Sequence, residues 1–147
     1  GAIKAGESIG FFEWLTSTAR LDFVTINILP FFNLTMVWNH GISFGLFQSG
    51  TPWPLIIMSV IISGLFGIWL WRSNSKIEFT ALCLIIGGAL GNVIDRLHLG
   101  AVADFLDFHY NKWHYPAFNL ADSFITVGIV ILVVYSLFFD KSNKAVN

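Results

Sequence analysis

The stretch WPLIIMSVIISGLFGIWLW, residues 53–71, contains no charged side chain. A bilayer core takes roughly 20 helical residues to cross, and this run has about that length. Lipid offers a backbone no water to bond to, so such a run satisfies itself as a helix. Pro52 and Pro54 stand where a first helical turn tolerates a missing N–H. Two further runs come later, from about Ile77 to Ile94 and from about Ala121 to Phe139. Glu78 and Asp122 lie near their starts. The expected fold is an α-helical integral membrane protein, a bundle of three visible transmembrane helices.

Composition agrees with that reading. The chain has 147 residues, 55% of them hydrophobic and only 12% charged, with a mean hydropathy of +0.70. Soluble domains carry about 25% charged residues, so half that share leaves too little polar surface for a water-soluble globule. A net charge of -1 gives no electrostatic footprint for nucleic acid. The single cysteine, Cys83, forms no intrachain disulfide and reads as a small hydrophobe.

Charge also orients the chain. Arg72 and Lys76 flank a tight loop, and Lys141 and Lys144 sit in a short tail. The opposite side holds Lys4, Arg20, Arg96 and Lys112, spread over two long segments. Short, dense loops weigh most in the positive-inside rule, so the Arg72–Lys76 loop and the C-terminus are expected in the cytoplasm. The chain then divides into an extracytoplasmic segment 1–52, a transmembrane core 53–139 and a cytoplasmic tail 140–147. Lys4, Glu7, Glu13, Arg20 and Asp22 interrupt the first 22 residues. A membrane helix is therefore expected to be absent there, the alternative being an amphipathic segment around Ile9–Leu15 on the interface. Between residues 23 and 38, Val24, Ile26 and Ile28 alternate with Thr25 and Asn27, Pro30 breaks the run, and Thr35 and Val37 alternate with Leu34, Met36 and Trp38. That period predicts a hairpin forming a small extracytoplasmic β-platform; a plain connecting loop is the rival.

The chemistry lies in polar residues beside the spans, where ionisable groups are costly and mark sites. GGALGNVIDR, residues 87–96, offers Gly87 and Gly91 as a small-xxx-small packing pair, then Asn92, Asp95 and Arg96. VADFLD, residues 102–107, places Asp104 and Asp107 in an expected short loop. PAFNLADS, residues 116–123, spaces Asn119 and Asp122 as a helix N-cap and its N3 residue. Each cluster has a plain alternative: an interfacial ion pair, solvated loop acids, a helix cap. Taken together, antiparallel second and third spans bring Asp95, Asp104 and Asp122 toward one end. Two carboxyls sharing a proton form an acid–base dyad that activates water. Spacing alone does not choose which two of the three pair.

Over about residues 29–139 the sequence resembles the lipoprotein signal peptidase (signal peptidase II) family. The resemblance rests on PFFNLTMVWNHGISFGLF at 30–47, GGALGNVIDR at 87–96, VADFLDF at 102–108 and PAFNLADSFITVG at 116–128. It implies a membrane aspartic endopeptidase that removes signal peptides from prolipoproteins, just before a cysteine carrying diacylglycerol. The catalytic pair implied is Asp104 and Asp122. Asn39, Gly41, Asn92, Asp95, Arg96, Asn119 and Ala121 match supporting or substrate-contacting positions. The resemblance implies no metal and no cofactor. Its partners are prolipoprotein substrates and membrane lipids, in the bacterial cytoplasmic (inner) membrane, with the active site outward. Two departures stand out. Family members usually have four spans, the first ending in a D-Q-x-x-K-like block, and His40 with Ile42-Ser43 replaces smaller residues. Two rivals remain. His98, His109 and His114 near Asp104 and Asp107 suggest a metallopeptidase, although no H-E-x-x-H block is present. A small membrane carrier or assembly subunit without catalysis would also place Asp and Arg near apolar helices, although no internal repeat is visible.

Overall fold

The computed structural model describes residues 25–41 and 51–139. Expectations for the first 22 residues, for Ile42-Ser43 and for the tail 140–147 lie outside the described residues. Three long helices are present: α1 (Trp53–Arg72), α2 (Lys76–Leu99) and α3 (Leu120–Phe138). Four strands, β1 (Thr25–Leu29), β2 (Phe32–Asn39), β3 (Val102–Tyr110) and β4 (Trp113–His114), form one sheet in that order.

All three helices are long and apolar enough to cross a bilayer. Only 17%, 33% and 6% of their apolar windows are buried within the protein, in chain order. The rest of the apolar surface faces outward, which is stable in lipid and not in water. α2 is the central helix, packed on both α1 and α3. Ser75 caps it by accepting from the Glu78 N–H, and Ser73 Oγ donates to Glu78 Oε2 at 2.7 Å. A charged residue at this end of a span is therefore a helix cap, where its charge complements the dipole.

The close approach of α2 and α3 depends on glycine, at a register different from the expected one. A Cβ on Gly87 would meet nothing within 4 Å. One on Gly88 would sit 2.5 Å from the Ala121 carbonyl oxygen, and one on Gly128 2.7 Å from that of Ala81. Gly88 and Gly128 thus let each helix lie against the other's backbone, and a Cβ on Gly91 would meet the Ala121 Cβ at 3.5 Å.

β3 replaces the expected loop around Asp104 and Asp107. α2 ends at Gly100 in the left-handed conformation (φ 76°), and its N–H returns to the Arg96 carbonyl. The chain then enters β3 at once. Ala101, Val102, Ala103 and Asp104 are all buried, so neither face of the strand start shows an alternating pattern. The hairpin of β1 and β2 turns at Pro30 and Phe31 as the sequence indicates. Its alternation, however, is broken by a bulge. Leu34 pairs with Leu106 and Val37 with Asp104, so one extra β2 residue is accommodated between them. The bulge reverses the parity of β2. Leu34 and Val37 then share one face, and Asn39 falls on the face that carries Asp104.

Candidate active site

The site is assembled at one end of the bundle, where α2 ends and α3 begins. Asn119 is the α3 N-cap in extended backbone, and a reciprocal capping box joins it to Asp122. The Asp122 N–H donates to Asn119 Oδ1 at 2.9 Å, and the Asn119 N–H donates to Asp122 Oδ2 at 3.3 Å. This box fixes one Asp122 oxygen and leaves the other for α2, where Asn92 Nδ2 donates to Asp122 Oδ1 at 2.9 Å.

Asp104 joins the same network from the sheet. Segment 115–119 is stitched to β3, with the Phe105 and Leu106 N–H groups donating to the Phe118 carbonyl and the Phe118 N–H to Leu106. Asn119 therefore lands beside Asp104. Its Nδ2 donates to both Asp104 Oδ1 and Asn92 Oδ1, each at 3.0 Å. Asn39 Nδ2 donates to Asp104 Oδ2 at 2.9 Å, the Gly41 N–H donates to Asn39 Oδ1, and Arg96 donates to the Gly41 carbonyl at 3.1 Å. One chain of hydrogen bonds thus runs from Arg96 through Gly41, Asn39, Asp104, Asn119 and Asn92 to Asp122. Reversing the Asn119 amide would set its oxygen against the Asp104 carboxylate, so the network fixes each amide's orientation.

Asp104 is only 2% exposed. Burial pushes its carboxyl up from the ordinary 3.8 to about 6. The Asn39 amide opposes that shift, the Asp122 charge adds to it, and Asn119 and Arg96 pull back more weakly.

A cavity of about 350 Å³ opens at the two acids, between the three helices. Asp104, Asp122, Asn92 and Arg96 line its polar end. Met58, Ile62 and Phe66 of α1 line an apolar trough with Ile129 of α3. Asp122 to Ile129 is seven residues, or roughly 10 Å along the helix. Asp95 lies off this cavity, half-buried, close enough to Arg96 and Asp122 for their charges to reach it. Ala121 sits in the Gly88 contact between the helices. Two features went unread in the sequence. Ser59 lines the trough, and Ser63, one turn on, is buried; two serines four apart in a charge-free span were the available signal. Asp107 is buried rather than solvated. It accepts from Thr35 and pairs with His114 at 2.9 Å, while His114 stacks on His109. Lying three residues beyond Asp104 on a strand, it faces the other side of the sheet.

Fold and site together define a small multi-pass membrane protein that gathers acids, amides and a cavity at one end of its helices. The sequence profile of signal peptidase (SPase) II matches residues 11–138, and the chain belongs to that family. The lipoprotein signal peptidase of Francisella tularensis subsp. novicida is 45% identical, covering 89% of this chain and 85% of that protein. The lipoprotein signal peptidase of Acinetobacter baylyi is 39% identical over 88% of this chain and 75% of its own length. A bacterial membrane enzyme solved by the in meso method at 2.3 Å resolution superposes with a TM-score of 0.75 at 29% identity. That match covers 90% of this chain and 80% of the other. The protein is accordingly a membrane peptidase, and the carrier reading falls away.

Proposed function

We propose that Asp104 and Asp122 form the catalytic dyad that cleaves the signal peptide from a prolipoprotein, at the bond preceding a diacylglyceryl-modified cysteine. The observation that carries the reading is the amide-bridged pair of acids at the mouth of an apolar trough. A water at the dyad attacks the scissile carbonyl carbon. Asp122, at N3 of α3 where the helix dipole complements negative charge, takes the water's proton. Asp104, the more deeply buried acid, holds a proton and gives it to the carbonyl oxygen. Collapse of the tetrahedral intermediate returns a proton to the leaving cysteine amine. The hydroxyl ends on the signal peptide's new carboxyl group and the hydrogen on the amine, so one water is consumed per bond. Arg96 lines the trough beside the acids, with one guanidinium nitrogen on the Gly41 carbonyl, and supplies a donor to the substrate backbone.

The location is set by the substrate. A lipidated cysteine stays in the leaflet, so the acids must work at the membrane rim, a depth that the ends of membrane-spanning helices can reach. The Arg72–Lys76 loop lies at the opposite end of the bundle. By the positive-inside rule it faces the cytoplasm, and the site faces the extracytoplasmic side of the bacterial inner membrane.

The test uses purified protein in vesicles and a synthetic lipidated prolipoprotein peptide, with cleavage monitored by mass spectrometry. Asp104→Asn and Asp122→Asn should each lower kcat by about 10³-fold or more while remaining in the membrane. Near-normal cleavage by either variant would sink the assignment.

A further inference from the structure

Asp122 is a wall shared by two cavities. One is the trough between the helices. The other, about 370 Å³, is bounded by Tyr115–Phe118 and by Ser123, Thr126 and Val127 of α3. Helical residues advance about 100° each. Ala121, Ile125 and Gly128 face α2, Asp122 lies next around the helix, and Thr126, Ser123 and Val127 lie further round. The second cavity therefore opens on the side of α3 turned away from α2. Val127 is 50% exposed there, and what such a position meets in a membrane-spanning helix is lipid.

The two cavities differ in chemistry. The donors suited to a peptide backbone, Asn39, Asn92 and Arg96, all line the trough. Pro116, Ala117, Phe118 and Val127 wall the second cavity. Tyr115 and Phe118 meet edge to face at 5.9 Å above it, and the Ser123 hydroxyl is already committed to the Asn119 carbonyl. An acyl chain needs no hydrogen bond; a peptide does. An acid that cuts a bond must also stand between the two halves of its substrate, here a peptide on one side and a lipidated cysteine on the other.

We propose that the second cavity is the lipid subsite. The peptide preceding the scissile bond lies in the trough. The acyl chains of the diacylglyceryl-cysteine cross Asp122 and run beneath Tyr115–Phe118, along Thr126 and Val127, into the leaflet. This assignment rests on the peptidase reading.

The experiment compares two synthetic prolipoprotein peptides of one sequence in vesicles of a single phospholipid. Their cysteines carry dihexanoylglyceryl or dipalmitoylglyceryl groups. Val127→Trp, which fills the cavity, should lower the long-to-short ratio of kcat/KM by about tenfold or more, since one methylene in a fitted pocket already discriminates by that order. Val127→Ala should not lower the ratio. Met58→Trp, in the trough, should depress cleavage of both peptides and leave the ratio near its original value. An unchanged ratio in Val127→Trp, including the case where the cavity holds bulk lipid instead, overturns the subsite. So does a ratio shift found in Met58→Trp alone. Should Val127→Trp fail to insert, Ala117→Leu from the facing wall fills the same space and must lower the ratio. A wild-type protein that cleaves neither peptide overturns the peptidase reading and this proposal with it; cleavage with an insensitive ratio overturns the proposal alone.

Discussion

Asp104 is where burial and chemistry meet. Its folded-state pKa is raised, so the fold favours its neutral form. Stability from this group is complete below 3.8 and is lost as pH rises through about 6. A shift of that size corresponds to roughly 3 kcal/mol. Unfolding in detergent should therefore show a loss of stability between those pH values, and Asp104→Asn should remove most of it. Activity should track the same proton. If Asp104 is the acid, kcat/KM falls above an apparent pKa near 6, and a pH–rate profile flat from about 5 to 8 would contradict its role. Asn119 acts on both acids at once. Asn119→Ala removes a helix cap, at a cost of about 1 kcal/mol, and leaves Asp104 and Asp122 unbridged. Thermal scanning should show that loss, and cleavage should fall by more than it accounts for, by roughly 10- to 100-fold. The N-cap relation of Asn119 and Asp122 was legible because it is local, three residues apart. The bridge from Asn119 to Asp104 was not, because it depends on where Phe118 pairs with β3.

The starts of all three helices were legible because lipid imposes length and hydropathy directly on the sequence; the end of α2 was not, since it runs past the expected Ile94 to Leu99 through the polar residues Asp95, Arg96 and His98. Helix rotation was not. GGALG offers two small-residue registers one position apart, equivalent to about 100° of rotation, and only the partner helix chooses between them. The choice of Gly88 gives a sharp contrast among single substitutions. Gly88→Ala and Gly128→Ala force backbone apart and should each cost about 1–3 kcal/mol, whereas Gly87→Ala meets open space and should be neutral or gain up to about 1 kcal/mol of helix propensity. Thermal melts of the three variants in one detergent check this, and equal effects would return the contact to Gly87. β3 escaped sequence reading for a related reason. Its first residues are buried on both faces, and a strand without a polar face shows no period of two. The β2 bulge had no sequence signal either, although Asn39 reaches Asp104 only because of it.

At the scale of the whole molecule, topology and charge make one joint statement. α1 and α2 are joined by a short turn, so the start of α1, the end of α2 and the start of α3 share one end of the bundle with the sheet. The turn between Arg72 and Lys76 is at the other. Placing a bond-cutting site beside the outer leaflet therefore requires that turn to be cytoplasmic, which its two cations favour. Two single-cysteine proteins in a Cys83→Ser background decide the matter. Asn74→Cys lies in the turn, and Asn111→Cys lies at the β3–β4 hairpin tip, where φ is 54°. A membrane-impermeant maleimide should label residue 111 in cells whose inner membrane is sealed, and residue 74 only after that membrane is opened. The reverse pattern would put the acids on the cytoplasmic side, away from any exported lipoprotein, and would be incompatible with the proposed function even if the dyad hydrolyses peptides in detergent.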